Sequence, residues 1–285
     1  MGLGAIVLVV AVAAFALVGL SKLSKRAVDL EDYMVSRNQV GGPVALATVT
    51  DSALGAWILF SPAEAGSDPF FGGISAILGY CIGSAAAVFM FVFVGPRLRQ
   101  IMPWGHSLNE YVRARFGRQS VGGGTQPQSG WGQAMYLLTL AVMLLYMFVY
   151  LAAELTAIAQ ALQIIADVPL VITATVVIVA VFLYTTAGGL KATILTATFQ
   201  FVLIVPLLLV CFGATIVLLG GFGPAFAPVA EKLPEMFNLA NVPSSRFGAT
   251  LTIAIIAAEL FNQGNWQRVY ACRDDQTVRR SFLIC

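Results

Sequence analysis

The stretch that decides the fold is IIAAELFNQGNWQRVY, residues 255–270. It begins as an apolar helix and then places hydrogen-bonding side chains, among them Glu259, Asn262 and Gln263, around Gly264. Inside a membrane such a density of polar groups is costly, because a lipid-exposed polar group finds no water to bond. In a chain that crosses a membrane, the stretch therefore predicts a helix that is interrupted at mid-membrane and lines a cavity.

The rest of the chain has the composition of a membrane protein. Of its 285 residues, 59% are hydrophobic and 11% are charged, against about 25% charged in soluble domains, and the mean hydropathy is +0.85. Apolar runs near the length that crosses about 30 Å of hydrocarbon recur without the alternation of barrel strands. The seven predicted spans are 3–21, 43–62, 71–94, 133–163, 169–186, 192–220 and 248–270. We predict an all-α polytopic membrane protein with a single transmembrane domain over residues 1–285.

Basic residues predict the orientation of these spans. Fourteen of the 16 Lys and Arg residues fall in alternate connections and in the segment after the seventh span, and only Lys232 and Arg246 fall on the other side. Positive residues mark the cytoplasmic face, so we predict an external N-terminus and cytoplasmic residues after 270. The first span lacks the flanks of a cleaved signal peptide and is predicted to be retained. Arg268 and Arg273 are predicted to emerge into the cytoplasm.

Two spans before the seventh also carry a carboxylate. In ATVTDSALGAWILFSP (residues 47–62), Thr48, Asp51, Ser52 and Gly55 share one helical face. This face predicts a solute or ion site, and packing between helices through hydrogen bonds is the alternative. In the fourth span, Glu154 follows two tyrosines at helical spacing. There a coupling-ion site and a structural carboxylate held by a tyrosine hydroxyl both remain open.

Other side chains that chemistry could use are ascribed to structure. Gly79 and Gly83 have the small-xxx-small spacing of close helix packing. The four cysteines are scattered and predict neither a disulfide framework nor a zinc site. The one histidine, His106, lies in a connection, which argues against an intramembrane enzyme, and no phosphate-binding loop supports an ATP-driven pump.

The interrupted second and seventh spans run in opposite directions, with five spans between their starts. This arrangement is typical of an inverted repeat of five helices in which the first helix of each repeat is broken. The span 3–21 would then be an extra N-terminal helix, with the first repeat over 43–220 and the second beginning at 248–285. The sequence ends in SFLIC, residues 281–285, so we expected a chain truncated after the first helix of the second repeat.

Four motifs resemble those of the sodium:solute symporter family. They are LYTTAGGLKATILTATFQFVLI (183–204), DYMVSRNQVGG (32–42), SLNEYVRARFG (107–117) and NQGNWQRVYACRDDQTVRRS (262–281), and they occur in the family's order. The GGLKAT segment and the Trp-Gln pair are also similar to urea-type members of the family, some of which are proton-coupled.

The resemblance implies a leucine-transporter-like fold and symport of a small polar solute, coupled to Na⁺ or H⁺. It implies solute contacts on the two broken spans, at Asp51, Ser52, Trp57, Glu259, Asn262, Gln263 and Trp266. It places the coupling ion near Thr50 and Ala53, to which our reading of the fourth span adds Glu154. Many sodium-coupled members carry an Asp shortly before Gln200, but this chain has Thr196-Ala197-Thr198-Phe199 there. The intramembrane carboxylates could then bind a proton instead.

The sequence thus predicts a secondary active transporter and no enzyme. A truncated, non-transporting chain, or a regulatory or sensory membrane module, is the alternative. The expected partners are a small-molecule solute and membrane lipid, with no nucleic acid, no cofactor and no metal site. An integral protein of the plasma membrane is the expected location.

Overall fold

The computed structural model describes residues 3–21, 30–68, 70–116, 120–121, 124–125 and 130–285. Helices dominate these residues, which confirms the predicted all-α polytopic class. In chain order they are α1 (Leu3–Leu20), α2 (Leu30–Met34), α3 (Gly42–Ala53), a 3-10 helix (Ala56–Leu59), α4 (Ser61–Ser67), α5 (Ile74–Ile101), α6 (Leu108–Phe116), α7 (Gly130–Ala166), α8 (Leu170–Leu218), α9 (Phe222–Lys232), a 3-10 helix (Pro234–Phe237), α10 (Val242–Phe261), α11 (Gln263–Ala271) and α12 (Asp275–Ile284). Two-residue strands β1 (Ser120–Val121) and β2 (Gly124–Thr125) pair antiparallel. The basic residues Lys22, Lys25, Arg26 and Arg118 lie outside the described residues.

Within the described ranges, four helices are long and apolar enough to cross a membrane: α5, α7, α8 and α10. A fifth crossing is formed if the bent pair Gly42–Ala53 and Ala56–Ser67 counts as one span. The N-terminal helix is a shorter apolar segment, Leu8–Leu20, by the same test.

Helix α8 has 49 residues but is broken at Gly189, whose φ of 58° and ψ of −148° are not helical. A Cβ atom there would overlap the carbonyl oxygen of Tyr33, so both the positive φ and the close approach require glycine. The predicted spans 169–186 and 192–220 lie on the two sides of this break.

The second predicted span is interrupted as expected. Helix α3 ends at Ala53, Leu54 and Gly55 are non-helical, and the chain resumes as a 3-10 helix with a bend of 54°. A Cβ atom on Gly55 would overlap the carboxylate of Glu154 on α7. Glycine at this break therefore lets an acidic side chain from another helix reach the backbone.

The seventh predicted span is also interrupted, but at Asn262 and not at Gly264. Asn262 has φ −71° and ψ 106°, and it separates α10 from α11. Its side-chain oxygen accepts the backbone N–H of Gly264 at 2.9 Å. The break falls two residues earlier than predicted because an Asn side chain can cap a new helix, as it does here for α11.

The buried core lies where α5, α11 and α12 meet. Phe91 stacks on Phe282 with 5.1 Å between ring centroids and meets Trp266 edge-on at 4.9 Å. Along the rest of its length α5 packs against α10, where a Cβ on Gly79 would overlap the Gly248 carbonyl oxygen. The small-residue spacing thus serves close helix packing, as predicted.

Candidate functional site

A half-enclosed cavity of about 640 Å³ lies beside the α3 break, between α1, α3, α7 and α8. Its wall is mostly apolar, with Phe15 from α1 and leucine and isoleucine side chains from the other elements. The polar side chains in the wall are Asp51, Ser52, Tyr150, Glu154 and Gln200. Such a cavity, apolar with a few convergent polar groups, is typical of small-molecule sites.

Glu154 is the best-positioned acidic group in this cavity. Its Oε2 accepts the backbone N–H of Ala56, the first residue of the 3-10 helix, at 2.7 Å. Its Oε1 is buried without a hydrogen bond of normal geometry, although the Tyr150 hydroxyl lies near the carboxylate. The carboxylate therefore holds the broken helix through backbone N–H groups at its break.

The remaining predicted residues of the α3 break lie close by. The Ser52 hydroxyl donates to the Thr48 carbonyl at 2.8 Å, and the Tyr150 hydroxyl lies 3.4 Å from the Ser52 carbonyl oxygen. Trp57 faces Tyr80, with 5.9 Å between ring centroids, and is not part of the cavity wall given by the structure.

Thr50 and Ala53, the predicted ion ligands, occupy the last turn of α3. The Thr50 hydroxyl is buried without a hydrogen bond of normal geometry, beside the thiol of Cys285 at the end of α12. An oxygen in the last turn before a helix break is of the kind that a hard cation can use as a ligand.

The predicted residues of the α10 break form a local network instead of joining this cavity. The side-chain amide of Asn265 donates to Glu259, at 2.7 Å to Oε2 and 3.2 Å to its backbone carbonyl. The Gln263 amide donates to the His106 carbonyl at 2.9 Å. Asn262 and Asn265 thus replace helical hydrogen bonds lost at the break, whereas Gln263 ties the break to the connection that holds His106.

Trp266 is also engaged at this break. It is 1% exposed, and its indole N–H donates to the carbonyl of Leu260, near the end of α10, at 2.7 Å. The structure therefore brings Asp51, Ser52 and Glu154 together and places Trp266 in the core.

Arg268 differs from its predicted position. Its guanidinium donates from Nε to the Thr48 carbonyl at 2.9 Å and to the Thr48 hydroxyl at 3.0 Å. A further bond runs to the Gly264 carbonyl at 3.0 Å. The side chain thus lies between α3 and α11 instead of emerging into the cytoplasm, because backbone oxygens of both helices satisfy its donors. The side chain of Arg273, just after α11, is 69% exposed, and its cytoplasmic location stays a prediction.

Three of the sequence motifs meet on the side of the molecule that holds α2. Tyr33 donates its hydroxyl to the carbonyls of Thr185 and Thr186, at 3.1 and 3.0 Å. Lys191, just after the α8 break, pairs with Asp32 at 2.6 Å. Strand-like backbone bonds join residues 38–40 to 270–273. The 32–42 motif is therefore the link between the 183–204 and 262–281 motifs.

A comparison with known proteins decides the family. The model described as Sodium:solute symporter family matches residues 33–285. The chain belongs to the sodium:solute symporter family. The match covers most of the chain, and the family is one of symporters.

One curated protein that is similar to this chain is the spermidine transporter DUR31 of Candida albicans. The two are 29% identical over 250 residues, which cover 87% of this chain and 43% of the relative. The chain therefore spans less than half the length of that relative.

Two residues of the cavity wall are not among the site residues predicted from the sequence. Gln200 lies in the 183–204 motif and lines the cavity. Phe15 lies in α1, the predicted extra N-terminal helix, and its ring centroid is 5.7 Å from that of Phe199 of α8. Spacing along the chain gives no signal for either contact, because each depends on how α1 and α8 pack.

Proposed function

We propose that this protein is a secondary active transporter that moves a small organic cation of the polyamine type, driven by a gradient of Na⁺ or H⁺. The observation that carries the proposal is the pair of carboxylates, Asp51 and Glu154, in the wall of one cavity beside a broken helix. Intramembrane carboxylates are costly unless they are paired with a cation or hydrogen-bonded. Among the residues that the structure describes, no Lys or Arg side chain lines this cavity.

A cationic solute would bring positive charge into this cavity. Its ammonium groups would bind Asp51 and Glu154, and its methylene chain would contact the apolar wall. The name of the Candida albicans relative, a spermidine transporter, supports the same class of solute. The inverted repeat is part of the proposal. Solute contacts by Glu259, Asn262, Gln263 and Trp266 of the second broken helix are part of it too, although none of these residues lines the cavity beside α3.

The coupling ion would bind at the α3 break. Two observations support this placement: Thr50 and Ala53 lie in the last turn of α3, and Glu154 accepts the backbone N–H of Ala56 just after the break. Sodium would use oxygens there as ligands, whereas a proton would bind a carboxylate. Many sodium-coupled members carry an Asp shortly before the position of Gln200, and this chain does not. The uptake experiment therefore tests both Na⁺ and H⁺.

The orientation proposed for the protein follows the distribution of basic residues. We propose a plasma-membrane location, an external N-terminus and cytoplasmic residues after 270. The orientation is tested with Arg273→Cys in a variant whose other cysteines have been replaced. An impermeant thiol reagent is applied to intact cells and to permeabilised cells that express this variant. Labelling in intact cells would refute the proposed orientation.

Uptake of radiolabelled spermidine by the full-length protein in liposomes tests the function. Gradients of Na⁺ and of H⁺ are imposed separately, and whichever one drives uptake identifies the coupling ion. Glu154→Gln and Asp51→Asn should each lower uptake at least about tenfold, as expected for loss of a buried charge contact. Glu64→Gln, an exposed acid on α4, is the matched control and should transport normally. Normal uptake by both cavity variants would refute the proposal.

A further inference from the structure

Arg268 is the one cationic side chain, among the residues that the structure describes, that joins the two broken helices α3 and α11. Its donors reach the carbonyl and hydroxyl of Thr48 on α3, at 2.9 and 3.0 Å, and the Gly264 carbonyl on α11, at 3.0 Å. Thr48 itself is only 1% exposed. The guanidinium thus binds two oxygens of a residue that is shielded from water.

The same contact places a positive charge beside the cavity. Thr48 lies one helical turn before Asp51 and Ser52 on a single face of α3. The Thr48 carbonyl that accepts from Arg268 also accepts from the Ser52 hydroxyl, at 2.8 Å. Arg268 attracts Asp51 and Glu259 electrostatically. The guanidinium is therefore coupled to the cavity both through hydrogen bonds and through charge.

We propose that Arg268 is a tethered counter-ion that joins the two broken helices and sets how strongly the cavity attracts a cationic solute. The second half of this inference rests on the proposed function. An arginine keeps its charge throughout the physiological pH range, so its charge is present whether the cavity is empty or filled. It offsets part of the negative charge of Asp51 and Glu259 and lowers the attraction for an incoming cation.

The bridge also affects turnover. A movement that separates α11 from α3 must break the bonds to Thr48, and a movement that brings them together must form them again. Arg268 therefore acts as a positioning residue. A neutral substitute should improve binding of a cation while slowing transport, a combination that a merely structural residue would not produce.

Spermidine binding and uptake by the purified full-length protein test the counter-ion. Arg268→Gln should lower the Kd for spermidine about fivefold, in the range of typical coupling between sites, and lower the maximal uptake rate about tenfold. Arg268→Lys keeps the charge but not the planar fork that reaches both helices, so its Kd should stay within about twofold while its rate falls. Arg273→Gln, an exposed neighbour on the same segment, should change neither. Weaker binding by Arg268→Gln, or the same gain in affinity in Arg268→Lys, would overturn the counter-ion role.

Hydrogen–deuterium exchange tests the bridge without any solute. Arg268→Gln and Thr48→Val should both speed exchange in 42–53 and in 263–271, while Arg273→Gln should not. Unchanged exchange in both variants would overturn the bridge. If the wild-type protein binds no spermidine, the proposed function and the counter-ion role fail, whereas the bridge is still judged by exchange.

Discussion

The contact between α5 and α10 makes a sharp prediction about one glycine. A Cβ on Gly79 would overlap the Gly248 carbonyl oxygen, and a Cβ on Gly248 would overlap the Ser75 carbonyl oxygen. The Thr252 hydroxyl donates to the carbonyls of Gly79 and Gly248, each at 3.0 Å. The two backbones therefore touch over a full helical turn, and Gly79→Ala must push them apart.

The expected cost combines two opposing effects. Alanine in place of glycine inside a helix is favourable by about 0.5–1 kcal/mol, whereas overpacking a tight contact costs about 1–3 kcal/mol. A gap of 0.5–1 Å along the contact also loses about a quarter to a half of the dispersion attraction there. In a membrane, where packing drives helix association, we expect the free energy of unfolding to fall by about 1–2 kcal/mol.

Unfolding of the full-length protein in detergent, followed by tryptophan fluorescence, measures this change. Gly213→Ala is the matched control, because Gly213 is also inside a helix and a Cβ there meets no atom within 4 Å. It should be neutral or stabilising. A Gly79→Ala variant as stable as the wild type, or a Gly213→Ala variant that loses as much, would refute the account of this contact.

Three further predictions concern other parts of the molecule. Trp266→Ala should lower the free energy of unfolding by about 3–5 kcal/mol. Trp266→Phe, which loses the N–H bond and part of the ring volume, should lower it by about 2 kcal/mol; equal losses in unfolding experiments would contradict this. Lys191→Met should lower the free energy of unfolding by only about 1 kcal/mol, because the Lys191 side chain in its ion pair with Asp32 is partly exposed. The difference should shrink in 1 M salt, which screens the pair; a difference that does not depend on salt would argue against an ion-pair effect. Hydrogen bonds from Thr277, with a smaller contribution from Arg273, hold the pKa of Asp274 below its usual range. The ionised carboxylate therefore stabilises the folded state at any pH above the unfolded pKa of about 4. This stabilisation is lost as the pH falls through the lower pKa of the folded state. Asp274→Asn should therefore flatten the acid limb of a plot of melting temperature against pH, and an unchanged limb would contradict that assignment.

Much of the architecture could be predicted because membrane helices leave a strong one-dimensional signal. An apolar run of about 20 residues can satisfy its backbone only as a helix, so helical segments such as α5 and α7 follow from composition. The two breaks were also predicted, because polar and small residues at mid-span are otherwise costly. Only the position of the second break, at Asn262 and not Gly264, needed the structure.

Spacing along the chain does not show which polar side chains line the cavity and which form hydrogen bonds at a helix break. Asp51 and Glu154 are far apart in sequence and come together because Gly55 leaves room for the carboxylate of α7. By contrast, Glu259 and Trp266 are close in sequence to the break, and both take part in the hydrogen bonds that replace the lost helical ones. Contact between these two residues and a solute remains a prediction.

Local composition is enough to predict that the chain is helical, that it crosses a membrane, and that two of its spans are interrupted. The reason is that the cost of an unpaired polar group in lipid applies to each segment separately. The packed structure is needed to show which polar groups face the cavity and which replace hydrogen bonds lost at a break. That choice depends on which helix packs beside which, and for Arg268 it places on the α3 backbone a charge that local sequence assigns to the cytoplasm.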